Sequence, residues 1–220
     1  MLRHYDAYIF DLDGTLVDTA PDLGQALNAS LRDAGFPGVT TDQARQWIGF
    51  GARYSLTQAI EHHHLALTES ATDQLLEGFL NFYEAHVADA STPYDSVIDT
   101  LDVLHDAGAK LAVVTNKPAR FTVPLLSALS LDGYFESVIS GDTATQPKPA
   151  ADPILLCLDE LNVGIDQALM VGDSRADVGA AKAAGVDVAC FRHGYNHGMD
   201  VRAMKPNFVF DRLCEILPIS

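Results

Sequence analysis

Asp11 and Asp13 stand one residue apart in FDLDGTLVD, directly after the apolar run Ala7 to Phe10. Carboxylates this close repel each other, so their pairing asks for a neighbouring cation or for chemistry that uses both. Three more apolar runs end in polar residues of complementary kinds. KLAVV leads into Thr115 and Asn116, SVIS leads through GDTATQPKPAADP to Lys148, and ALMV leads into GDSRAD with Asp173 and Asp177. If these runs are parallel strands, their carboxyl ends share one edge of a sheet, which is where open α/β sheets bind ligands. A hydroxyl, a lysine and several carboxylates gathered there suit phosphoryl transfer with Mg²⁺. Carboxylate oxygens hold a small hard cation, and cation and ammonium together neutralise the equatorial phosphoryl oxygens. On this reading Asp11 and Asp13 tolerate each other because a metal sits among them, with Lys148 beside it.

Simpler explanations account for less. A plain Asp-Gly turn at DLDG would leave the other three strand ends unexplained. An EF-hand loop needs its glycine at the sixth position, whereas Gly14 falls at the fourth. Lys148 lies between Pro147 and Pro149, which stiffen the loop and make it a positioned cation. Asp177, one helical turn after Asp173, either favours the helix N-terminus or takes part directly. His62, His63 and His64 cannot all face one way on a helix, and no acid or cysteine spacing completes a metal site with them, so they read as surface. Trp47 and Phe50 read as core or edge of the helical segment that holds them.

The elements that must position these groups follow from the pattern of apolar runs. AYIF, KLAVVT, SVIS, ALMV, VDVACF and FVF are short, continuous and β-branched, as suits strands buried on both faces of a parallel sheet. Between most of them lies one helix-sized segment, such as Val97, Leu101 and Leu104, or Ile154, Leu155, Leu158 and Leu161. Gly108 and Gly185 follow two such segments where glycine closes a helix, and Asp152-Pro153 reads as an N-cap followed by proline at the first helical position. Alternation of this kind predicts a doubly wound, Rossmann-like α/β sheet. One connection is far too long for a βα loop, because almost a hundred residues separate Asp11 from Lys110. That stretch is helical in pattern: Leu23, Leu27 and Leu31 share a face closed by Gly35, Thr40 and Gln43 fit a capping box, and Leu75, Phe79, Phe82, Tyr83 and His86 keep helical spacing. The expectation is an α/β core of residues 1–18 and 90–220 with an all-helical cap inserted at 19–89.

Composition excludes several functions. The 220-residue chain carries 14 Lys and Arg against 30 Asp and Glu, a net charge of −16. Nucleic acid and anionic membranes both need clustered Lys and Arg, so neither is expected as a partner. An anionic substrate must instead be attracted locally, by a metal or a few placed cations. Cys157, Cys190 and Cys214 are odd in number and far apart, and read as reduced residues of a cytoplasmic protein. No apolar run reaches the roughly 18 residues that span a bilayer, and Met1 to Asp6 does not read as a signal peptide. Monomer and homodimer both remain open.

Taken together, DLDGT, VVTN, the lysine of QPKP and GDSRAD resemble the four motifs of the haloacid dehalogenase-like hydrolases, in the same order and with the helical insertion after the first. The resemblance covers nearly the whole chain. Within that superfamily the chain is similar to the bacterial phosphoglycolate phosphatases in DTAPDLGQALNASL, in WIGFGA, in HGYNHG and in the closing PNFVFDRLCEIL. Phe50 departs from the pattern, since related phosphatases usually have a small polar residue there. The resemblance implies that Asp11 is a nucleophile forming an aspartyl-phosphate. Asp13 would protonate the leaving alkoxide and then deprotonate water. Thr115, the Asn116 backbone and Lys148 would hold the phosphoryl oxygens. Asp11, the Asp13 backbone carbonyl and Asp173 would ligate Mg²⁺, with Asp177 behind them, and the cap would close over the site. For a substrate carboxylate, WIGFGARYSL offers close backbone approach at Gly49 and Gly51 and a guanidinium at Arg53; Arg53 as an exposed helix residue is the alternative. The expected function is a Mg²⁺-dependent phosphatase converting 2-phosphoglycolate to glycolate and phosphate. A sugar phosphate or pyrophosphate substrate, or a phosphomutase, are the alternatives. A dehalogenase would need neither a metal nor Asp13, and a non-catalytic regulator would lack a core acid, yet all are present.

Overall fold

A computed structural model describes residues 3–217 of the chain. In chain order the elements are β1 (Ala7–Phe10), β2 (Val17–Asp18), α1 (Ala20–Asp33), α2 (Thr41–Arg45), α3 (Ala52–His62), α4 (Glu69–Ala85), β3 (Thr92–Pro93), α5 (Val97–Asp106), β4 (Lys110–Val114), α6 (Ala119–Ala128), β5 (Ser137–Ile139), α7 (Asp152–Leu161), β6 (Ala168–Gly172), α8 (Arg175–Ala184), β7 (Asp187–Phe191) and β8 (Phe208–Phe210). They form two compact units, Met1–Asp18 with Pro93–Ser220, and Thr19–Thr92.

The first unit is a six-stranded sheet in the order β5-β4-β1-β6-β7-β8, and each of its pairings is parallel. All six runs singled out for strand character form its strands. β1 is fully buried along its length, as a strand flanked on both edges and covered on both faces must be. Its residues divide between the two faces by the two-residue period of a strand. Ala7 and Ile9 join a core with Ala112, Val114, Met170 and Val188, closed by Ile154, Leu158 and Leu161 of α7 and Val178 and Ala181 of α8. Tyr8 and Phe10 point the other way and stack with ring centroids 6.5 Å apart. From β1 the chain moves to β4 and β5, then crosses to β6, β7 and β8 on the other side. That reversal puts the topological switch point at the carboxyl end of β1.

Gly108 and Gly185 take positive φ of 77° after α5 and α8, as their placement in the sequence requires. α7 differs by one residue from the sequence expectation. Leu155 N–H already donates to Ala151 O at 3.0 Å, so Ala151 caps the helix and Asp152 and Pro153 fill its first turn. Cys157, Cys190 and Cys214 are free thiols. Burial pushes the Cys157 thiol up to about 12, which leaves it protonated.

The second unit is helical. Leu27, Leu31, Val39, Ala44, Leu56, Ala59 and Leu75 make its core, with Phe36 and Trp47 packed beside them. The capping box of α2 is present, with Gln43 N–H donating to Thr40 Oγ1 and Thr40 N–H to Gln43 Oε1. Asn28 pins the loop after α1 by donating to Val39 O at 2.8 Å and accepting from Val39 N–H at 2.7 Å. Asp22, buried in the first turn of α1, accepts from the N–H groups of Ala90 and Ser91 and from the Ser91 hydroxyl. The two ends of the insertion are thereby held together.

Candidate active site

The register of β1 decides what meets at the switch point. Phe10 pairs with Val113 on one side and Val171 on the other, so Asp11 stands level with the ends of β4 and β6. Thr115 and Asp173 follow at those ends. Asp11 N–H continues the ladder to Val171 O at 2.9 Å, which leaves the side chain at the sheet edge.

Lys148 sits at the centre of this edge. Its ammonium donates to Val114 O at 2.7 Å and to Asp177 Oδ1 at 2.6 Å, and stands 2.9 Å from Asp11 Oδ1. Its backbone is clamped by the Asn116 side chain, which donates to Lys148 O at 2.9 Å and accepts from Lys148 N–H at 2.8 Å. Burial works against the charge of Lys148, but Asp11 and Asp177 outweigh it and hold the ammonium above its ordinary value. Asp177 is fully buried and engaged at both oxygens. Besides Lys148, it accepts from Ser174 N–H, the Ser174 hydroxyl and Asp173 N–H. It therefore caps α8 and anchors Lys148.

Asp173 accepts from the Thr15 hydroxyl at 2.7 Å on one oxygen and from Tyr195 N–H on the other. The backbone crowds it closely. Gly14, at φ +88°, has no room for a Cβ, which would lie 2.6 Å from Asp173 Oδ2, and a Cβ on Gly194 would collide with the same carboxylate. Burial pushes Asp11 up to about 6, opposed by Lys148 and reinforced by Asp177 and Asp13. Burial also raises Asp173 well above the usual carboxylate range, and the charges of Asp177 and Asp11 add to it. A site that crowds acids until they resist ionising is one that a divalent cation would relieve. Oxygens of Asp11, Asp173 and Asp177 lie within 4.8 Å of one another. Asp11 Oδ1, despite its ion pair with Lys148, accepts no hydrogen bond of suitable angle among the described residues. Hard carboxylate donors around an under-used buried oxygen fit a small divalent cation.

Asp13 has a separate counter-ion. The Lys117 ammonium donates to both of its oxygens, at 3.0 and 3.1 Å, and the lysine side chain is only 4% exposed. Thr115 is buried; its N–H goes to Ile139 O and its hydroxyl accepts from Lys117 N–H. The hydroxyl proton is thus available for another acceptor.

Asp11, Asp13, Thr115, Asn116, Lys148, Asp173 and Asp177 all belong to the first unit and meet at one sheet edge. Gly49, Gly51 and Arg53 belong to the second. Gly49 and Gly51 take φ of +107° and +89°, and Arg53 pairs with Asp73 with half of each side chain exposed. Phe50 is exposed and packs edge-on against Tyr54. Thr15, Lys117 and Tyr195 are the participants that sequence reasoning did not single out. For Lys117 a signal was present, a long cation placed directly after a strand end that carries chemistry.

Comparison with known proteins gives concordant results. A model of the haloacid dehalogenase-like hydrolases matches residues 8–191. A phosphoglycolate phosphatase of Colwellia psychrerythraea is 39% identical over 219 residues, spanning 98% of this chain and 97% of its own. Phosphoglycolate phosphatase 1 of Pseudomonas aeruginosa is 41% identical over 215 residues, spanning 96% of this chain and 78% of its own. Among solved structures, that of a predicted phosphoglycolate phosphatase from Haemophilus somnus has a TM-score of 0.91 at 32% identity, covering 98% of both chains.

Proposed function

The chain belongs to the haloacid dehalogenase-like hydrolases, and from that premise we propose that it is a phosphoric monoester hydrolase that converts 2-phosphoglycolate to glycolate and phosphate. The observation that carries this reading is the meeting of Asp11, Asp13, Thr115, Lys148 and Asp173 at one switch point. Asp11 attacks phosphorus, the bond from phosphorus to the substrate's ester oxygen breaks, and Asp13 gives that oxygen its proton. Water then attacks the aspartyl-phosphate on Asp11 and loses a proton to Asp13, and phosphate leaves. The Thr115 hydroxyl, the Asn116 backbone and Lys148 hold the phosphoryl oxygens through both steps. Asp177 acts through Lys148 and is a positioning residue.

Asp11, the Asp13 backbone carbonyl and Asp173 are the residues that would hold Mg²⁺, whose bound charge would offset the crowded carboxylates and the phosphoryl oxygens. The donor set supports this assignment, since Asp173 keeps lone pairs beyond its two hydrogen bonds and Asp11 Oδ1 has lone pairs beyond its ion pair with Lys148. The helical unit would serve as the cap, with the backbone of Gly49 and Gly51 offered for substrate contact. Free cysteines suit a reducing compartment, which supports a cytoplasmic location.

The test is turnover with Mg²⁺ on a panel of 2-phosphoglycolate, hexose phosphates and pyrophosphate. The expected result is a kcat/KM for 2-phosphoglycolate about tenfold or more above every other ester. A hexose phosphate or pyrophosphate turned over faster would overturn the substrate assignment.

A further inference from the structure

We infer that Lys117 is the residue that recognises the carboxylate of the substrate, an inference that rests on the carboxylate-bearing ester proposed above. Among the described residues, Lys117 and Lys148 are the two buried cationic side chains. The work of Lys148 is set by its surroundings, because its ammonium is divided among Val114 O, Asp177 and Asp11. Lys117 is different in kind. Its ammonium donates to both oxygens of Asp13, the group assigned to the ester oxygen.

That location has a chemical consequence. In 2-phosphoglycolate the carboxylate is separated from the ester oxygen by a single methylene. A cation held against the group that protonates the ester oxygen is therefore within reach of the carboxylate as well. Once Asp13 has given up its proton, it and the substrate carboxylate would be two anions side by side, strongly repelled unless a buried positive charge stood between them, and burying such a charge without an anionic partner is itself costly. Lys117 meets both demands: Asp13 is its partner before substrate arrives, and the substrate carboxylate shares it afterwards. The segment fixes the lysine in place, since Lys117 N–H donates to Thr115 Oγ1 and Lys117 O accepts from both Gly141 N–H and the Thr122 hydroxyl. Arg53, the guanidinium considered from sequence, is occupied by Asp73 instead.

The experiment compares 2-phosphoglycolate with ethyl phosphate, which replaces the carboxylate by a methyl group, and with phosphoethanolamine, which replaces it by an ammonium-bearing arm. In the parent protein kcat/KM is expected to fall in that order. Lys117→Met is expected to lower the 2-phosphoglycolate to ethyl phosphate ratio about a hundredfold, as truncating one partner of a buried charge pair does. Lys117→Arg should keep most of the ratio, and Arg53→Ala should keep nearly all of it. If Lys117→Met does not fold, the parent series and Lys117→Arg still decide: phosphoethanolamine matching 2-phosphoglycolate, or Lys117→Arg abolishing the ratio, overturns the inference. Equal losses on both esters in Lys117→Met would make Lys117 a positioning residue for Asp13 and overturn it while the phosphoglycolate reading stands. A parent with no preference for 2-phosphoglycolate over ethyl phosphate would overturn both.

Discussion

Asp11 and Asp13 are neighbours in sequence that meet different counter-charges, Lys148 for the first and Lys117 for the second. That division answers how the pair is tolerated: each carboxylate faces a different buried ammonium, the one at Asp11 being shared with Asp177. The remaining imbalance falls on Asp11 and Asp173, whose protons are held more tightly in the folded chain than in water. A carboxyl raised from 3.8 to about 6 contributes stability at low pH, and that contribution is lost as pH climbs through about 6. Cation binding needs the ionised form, so it opposes this loss. The Tm gained on adding Mg²⁺ to metal-free protein should therefore be small at about pH 5 and several degrees larger at about pH 7.5. Asp173→Asn should shrink the gain at the higher pH. Differential scanning calorimetry at both pH values reads it; a gain independent of pH would remove these carboxylates from the metal.

The strands were legible because each is an unbroken apolar run, and the acids, threonine and lysine that end them were legible because strand ends at a switch point face a ligand. The conduct of individual side chains was not. Lys117 carries a flexible four-carbon stem, and nothing in VVTNKP says whether it swings to solvent or folds back on Asp13. Asp177 looked like either a helix-terminal acid or a participant, and it serves as cap and anchor at once because Ser174 and Lys148 approach different oxygens. Tyr195 contributes a backbone N–H, which no side-chain pattern reports. The HGYNHG loop after β7 was noticed only for its family likeness, yet it brings that N–H to Asp173 across a glycine with no room for a side chain. Gly194→Ala should displace the Asp173 carboxylate and raise the Mg²⁺ concentration for half-maximal activity roughly 10–100-fold. Circular dichroism would verify that the sheet survives, and an unchanged Mg²⁺ titration would show that the loop does not position the ligand.

In a chain with a net charge of −16, the two cationic side chains buried among the described residues both lie at one sheet edge. Lys117 and Lys148 stand at that edge among four carboxylates, of which Asp11 and Asp173 are the proposed ligands of a divalent cation. On the proposed mechanism Asp11 is the nucleophile that takes the phosphoryl group. Trapping that group is the most direct test. Protein mixed with 2-phosphoglycolate and Mg²⁺, quenched in acid within one turnover and reduced with borohydride, should carry homoserine in place of aspartate at position 11 when mapped by mass spectrometry. Asp11→Asn should show no such conversion and lose turnover by roughly 10⁴-fold or more. Turnover without any modification at position 11, or undiminished turnover in Asp11→Asn, would contradict the covalent mechanism.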